Sequence, residues 1–116
     1  MNVVAGVLVG LVAALHLYFL VLEMFLWTTP TGRRVFGLDA DFAERSKALA
    51  ANQGLYNGFL VAGLAWGLIS GHTDIRVFFL VCVVVAGVYG GATVNKRILV
   101  VQAVPAVLAL AAVAVS

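Results

Sequence analysis

The sequence predicts an all-α integral membrane protein: a four-transmembrane-helix bundle with both termini non-cytoplasmic. Three observations predict it. The composition is 64% hydrophobic and only 10% charged, whereas a soluble domain carries about 25% charged residues to face water. Four stretches, about residues 3–27, 48–70, 77–94 and 98–115, approach the roughly 20 apolar residues that a helix needs to cross a bilayer core. Basic residues are unevenly shared among the connections between them. At 116 residues the chain is expected to be one membrane domain, residues 1–116, multi-pass in the plasma membrane with the lipid bilayer as its first partner.

Each element follows in order. The first apolar run has no basic residue ahead of it and exceeds the roughly 7–15 residues of a signal-peptide core, so it reads as a retained span. The connection 28–47 holds Pro30, Gly32, Arg33, Arg34, Asp39, Asp41, Glu44, Arg45 and Lys47. Within it Asp39 or Asp41 is the candidate N-cap, with Glu44 in the first turn. The second helix is therefore expected to start in water near Asp41 and enter the membrane around Ala48. The turn Gly71-His72-Thr73-Asp74 separates spans two and three. Asn95-Lys96-Arg97 separates three and four, which makes that pair antiparallel.

Six of the seven Lys and Arg residues fall in the first and third connections, and only Arg76 in the middle one. Lys and Arg favour the cytoplasm, so the first and third connections are placed inside, with Trp27 as an aromatic anchor at the inner interface. Arg33, Arg34, Lys96 and Arg97 then serve first as topology and headgroup residues, with anion binding as the alternative.

Polar side chains inside spans call for a reason, because lipid offers them no partner. Span one carries His16, Tyr18 and Glu23. Span two opens on the stretch ANQGLYNGF, with Asn52, Gln53, Tyr56 and Asn57. Span three carries Tyr89 and Thr93, and span four Gln102, with Asn95 just outside it. On the assigned orientation all but the mid-span His16 gather in the cytoplasmic leaflet. His16 and Glu23 are seven apart and share a helix face, continued by Phe19, Leu20 and Trp27. Asn52 with Tyr56, Gln53 with Asn57, and Tyr89 with Thr93 are each four apart. Asn95 and Gln102 are seven apart, and such stripes on four helices can surround one inner cavity. They can equally be interhelical hydrogen-bond glue, each bond contributing about 0.6–2 kcal/mol. Gly54, Gly58, Gly87, Gly90 and Gly91 suit close helix approach.

Glu23 stands apart. A carboxylate among Leu22, Met24, Phe25 and Leu26 costs several kcal/mol unless paired or protonated. Either it reaches headgroups one turn from Trp27, or it faces the bundle. There His16 or the amides of span two can hold it, and it becomes a proton carrier or a ligand anchor.

The stretches HLYFLVLEMFLW, ANQGLYNGFL and VQAVPA together resemble a bacterial family of four-helix membrane proteins known as domain of unknown function thirteen-oh-four. The resemblance covers nearly the whole chain and implies four spans and no defined activity. Separately, ERSKALAANQGLYNGFLVAGL is similar in pattern to the second helix of the membrane-associated proteins in eicosanoid and glutathione metabolism. That likeness implies trimers binding glutathione and lipids between subunits in the cytoplasmic half. It sets Gln53 and Asn57 at the two amide positions of the motif and Tyr56 at its glutamate. Two departures count against glutathione chemistry: Tyr56 is no carboxylate, and span three has no arginine before a tyrosine. The small multidrug-resistance transporters are similar in having four spans and one membrane glutamate in the first. Theirs lies nearer mid-span, and the charge bias here argues against dual insertion.

The expected function is binding of a small lipophilic or amphipathic molecule in a polar pocket. Its candidate residues are Glu23, His16, Asn52, Gln53, Tyr56, Asn57, Tyr89, Thr93 and Gln102. Two alternatives stay open: a proton-coupled small-molecule transporter using Glu23, and an accessory or structural subunit. The sequence assigns no catalytic residue and no cofactor, and contains no nucleotide-binding loop. The single Cys82 builds no disulfide or metal set, and reads as a small apolar side chain. His16 and His72 fall at different depths, so no shared metal is expected. No nucleic-acid partner is expected. Four short helices leave much surface to cover, which favours a homo-oligomer.

Overall fold

A computed structural model of the chain describes residues 2–116. These form helices and turns, with no strand among the described residues. The helices are α1 (Val3–Met24), α2 (Pro30–Phe36), α3 (Ala40–Ser70), α4 (Thr73–Thr93) and α5 (Lys96–Ala114). Three of them, α1, α4 and α5, are long and apolar enough to cross a membrane. Their exposed faces are apolar as well: Val7 and Leu11 on α1, Phe78 and Val85 on α4, and Val107 and Leu108 on α5 are all exposed. The third helix, α3, is not among the three. Its first turns carry Asp41, Glu44, Arg45 and Lys47, and Asn52, Gln53, Tyr56 and Asn57 dilute the apolar run that follows.

The chain divides into two compact units: Leu15–Val61, and the chain up to Ala14 together with Ala62–Ser116. In the second of these, α4 and α5 run antiparallel, as the short connection requires. Gly87 lies against the backbone of Ala103, and Gly91 against that of Leu99. A Cβ at position 87 would stand 2.7 Å from Ala103 N, so only glycine permits this approach. Between them Asn95 caps the start of α5, its Oδ1 accepting from Arg97 N at 2.8 Å, so its side chain serves the turn. Residues Leu99–Ala103 of α5 are wound as a π-helix just ahead of Pro105, with Val104 N–H reaching back to Leu99 O. Proline has no N–H to give a carbonyl four residues earlier, and the wider turn adjusts the ladder at that point.

Also in this unit, α3 and α4 pack antiparallel across a turn where Gly71 takes φ +75°. Gly63 lies under the Phe79 ring and Gly67 under the stem of Arg76. Arg76 is only 3% exposed, and its Nε meets no acceptor among the described residues. Read from sequence, it was only the single basic residue of the middle connection. The cue for its burial is the spacing Gly63, Gly67, Gly71, which leaves a groove along α3 for the side chains of α4.

In the unit Leu15–Val61 the first helix ends at Met24, three residues before the expected Trp27. The amides of Phe25 and Leu26 both turn back to Val21 O. Thr29 Oγ1 donates to Leu26 O at 2.6 Å and accepts from Gly32 N at 3.3 Å, capping α2 with Pro30 in its first turn. A Cβ at position 32 would collide with the Leu26 carbonyl. The α2 helix was not expected from sequence, although its signals are there: a threonine N-cap, proline at the first helical position, and Gly37 closing it at φ +67°. After it, Asp39 Oδ1 accepts from Phe42 N at 2.8 Å. Of the two N-cap candidates Asp39 is therefore the cap, and Asp41 instead pairs with Arg45.

Candidate functional site

A polar contact between helices lies where the end of α1 meets the middle of α3, inside the unit Leu15–Val61. Burial along α3 recurs every seven residues, at Ala43, Ala50, Asn57 and Leu64. That spacing draws one seam along a helix, and Asn57 is the polar member of it. Next to the seam Gly54 and Gly58 let the helices close up. A Cβ at 54 would stand 2.5 Å from Met24 Cγ and 3.2 Å from Glu23 Cβ, and one at 58 would stand 3.1 Å from Leu20 Cδ1. Two glycines four apart thus bring α3 onto α1, and the amide between them reaches the carboxylate. Asn57 Nδ2 donates to Glu23 Oε1 at 2.5 Å.

This bond turns the Glu23 carboxylate toward α3, and Asn57 is 9% exposed beneath it. Glu23 itself is half-buried. It makes no second side-chain hydrogen bond among the described residues. One carboxylate oxygen accepts the Asn57 amide.

His16 is fully buried two turns earlier on α1, its ring edge-on to Phe19 at 5.4 Å between centroids. It continues the buried stripe of Ala5, Val9 and Val12, so it is a core residue of α1. The remaining polar residues of the opening of span two behave differently from Asn57. Asn52, Gln53 and Tyr56 are exposed, and the Tyr56 ring meets Phe59 edge-on. Of the two stripes expected there, one residue is spent on Glu23 and three project outward.

Tyr89, Thr93 and Gln102 belong to the other unit. Thr93 Oγ1 donates to Tyr89 O of its own helix at 2.7 Å, the usual way a threonine satisfies itself in a helix. Tyr89 is 71% exposed. Gln102 is half-buried within the π-helical segment. In that same unit a surface hollow is lined by Trp66, Asp74, Ile75, Phe78 and Phe79, and none of the expected site residues belongs to it.

Trp27, expected on the face of α1, stands beyond the helix end. Its Nε1 donates to Ser46 Oγ at 3.1 Å and its ring lies 4.9 Å from that of Phe36. It therefore ties the start of α3 to α2. Among the described residues no group of three or more His, Cys, Asp or Glu side chains is placed to hold a metal ion.

The profile of a family described as a protein of unknown function, DUF1304, matches residues 10–114. The chain belongs to the DUF1304 family. It is also similar to an uncharacterized protein, YpaA, of Lactococcus lactis subsp. lactis (strain IL1403). The two are 34% identical over 114 residues, which is 95% of this chain and 96% of that protein. No solved structure matches the chain. Both likenesses extend over nearly the whole DUF1304 chain, so they bear on all five helices, and neither carries an activity with it.

Proposed function

We propose that this DUF1304 protein is a multi-pass plasma-membrane protein with four spans, α3 being the fourth, that binds a small amphipathic molecule at Glu23. The site lies in the cytoplasmic-leaflet half, with both termini on the opposite side and the basic connections inside. The observation that carries the reading is the half-buried Glu23 carboxylate, held through one oxygen by Asn57 and without a second side-chain partner among the described residues. A carboxylate at the end of an apolar helix is costly in lipid, by about 2.5–3.5 kcal/mol for a charged side chain at mid-span. One amide offsets only part of that.

A molecule with an ammonium or hydroxyl head and an apolar tail supplies the missing donor, and its tail lies along lipid-facing helix surface. Asn52, Gln53 and Tyr56, exposed on the same stretch of α3, offer further donors and acceptors near the membrane surface.

The competing reading is a structural subunit in which Asn57 and Glu23 only lock α3 to α1. The close glycine contacts around the pair favour it. The two separate by what co-purifies. Protein extracted in a neutral detergent and examined by native mass spectrometry is expected to retain a small amphipathic molecule, absent from Glu23→Gln at equal yield. Identical spectra for parent and Glu23→Gln would leave only the structural role.

A further inference from the structure

Residues 28–47, which run from the end of α1 through α2 into the first turns of α3, carry four cations and three carboxylates, and the structure pairs them unevenly. Arg45 Nε bonds Asp41 Oδ2 at 3.0 Å, and Lys47 Nζ bonds Glu44 Oε1 at 2.5 Å. Asp39 is spent on the amide of Phe42. Every acid of the segment is engaged, and Arg33 and Arg34 are left over.

Both sit on α2, where no carboxylate pairs with either among the described residues. The Nε of Arg33 is buried and meets no acceptor. A guanidinium does not shed its proton, so the half-exposed Arg33 carries a fixed charge that attracts an anion. On the same helix Val35 and Phe36 expose apolar surface at 39% and 37%, and Phe36 stacks near Trp27. Adjacent arginines beside exposed aliphatic and aromatic groups suit the boundary between headgroups and acyl chains.

We infer that α2 is an interfacial helix whose Arg33 and Arg34 bind the phosphate of an anionic phospholipid. Two features select the phosphate group. Its oxygens accept parallel N–H bonds from a guanidinium fork, which a lone ammonium cannot offer. An anionic lipid also brings acyl chains for Val35 and Phe36, whereas a zwitterionic headgroup cancels the field that draws the arginines. This site is separate in residues and in chemistry from the one at Glu23 and stands whether or not that reading holds.

The test uses the full chain in neutral detergent, titrated with dioleoylphosphatidylglycerol, dioleoylphosphatidylcholine or inorganic phosphate. Binding is read by native mass spectrometry, and protection by the thermal unfolding midpoint. Phosphatidylglycerol is expected to bind and to raise the midpoint, while phosphatidylcholine and inorganic phosphate leave it unchanged. Arg33→Gln and Arg34→Gln are expected to weaken lipid binding about tenfold each, Arg33→Lys to keep part of it, and Arg45→Gln to leave it intact, because Arg45 is already neutralised by Asp41. The midpoint in phosphatidylcholine serves as the folding control. Equal protection of parent and Arg33→Gln by phosphatidylglycerol would overturn the site. Equal protection by inorganic phosphate would overturn the lipid assignment.

Discussion

Glu23 and Asn57 make the most consequential contact at the scale of single residues. Their hydrogen bond joins α1 to α3 where glycines have already closed the gap, so removing Glu23 leaves a buried amide and removing Asn57 leaves a half-buried carboxylate. Asn57→Ala is expected to lower stability by about 1–2 kcal/mol, within the range for polar contacts between membrane helices. Asn52→Ala, which removes an exposed amide, is expected to fall within about 0.5 kcal/mol of the parent. Thermal unfolding in detergent checks both. Glycines give a second residue-scale contrast. Gly32→Ala drives a methyl into the Leu26 carbonyl and is expected to destabilise strongly. Gly10 has open space around it, and Gly10→Ala is expected to be neutral or to stabilise by up to about 1 kcal/mol through helix propensity.

Among the elements, what could be read from the sequence follows from how local each signal is. The helix starts were legible where one side chain caps them: Asp39 was already a candidate, and the Asn95 turn fixed the antiparallel pair of α4 and α5. The polar stretch of α3 was legible as an oddity, and Asn57 as one of its members. Which of its four polar side chains turns inward was not legible, because Asn52, Gln53, Tyr56 and Asn57 sit within six positions on two adjacent stripes, an arc of about 140° with no gap to single one out. The choice was made by Gly54 and Gly58, which set the face that meets α1. Apolar periodicity also overran the end of α1, since Phe25, Leu26 and Trp27 look like more of the same helix. The break is made by Thr29 and Pro30, whose effect reaches backwards through the bond to Leu26 O. His16, marked as a site candidate by its polarity, is fully buried, in line along α1 with Val9 and Val12. The α4–α5 contact yields a further prediction. Gly87→Val places branched carbons against Ala103 backbone and is expected to lower the unfolding midpoint more than Val85→Ala, an exposed position on the same helix.

At the scale of the whole molecule, three helices are long and apolar enough to cross a membrane, and α3 is kept from that set by its charged first turns and its polar stretch; on the proposed reading α3 is a further span whose polar face serves the site. The charge bias predicts the topology directly. In a Cys82→Ala background, Ser116→Cys is expected to react with a membrane-impermeant maleimide added outside intact cells, and Leu38→Cys only after permeabilisation. The reverse pattern would invert the leaflet assigned to Glu23. Glu23 is proposed to hold a ligand and to be more than a clamp on α3. The most direct measurement is the binding of dodecylammonium, a cationic amphiphile, to purified protein in a neutral detergent, followed by isothermal titration calorimetry for parent and Glu23→Gln. Saturable binding with one site per chain is expected, weakened at least about tenfold in Glu23→Gln, the loss of a charged hydrogen-bonding partner costing about 1.4 kcal/mol or more. Equal binding by the two proteins, with Glu23→Gln still folded, would contradict it.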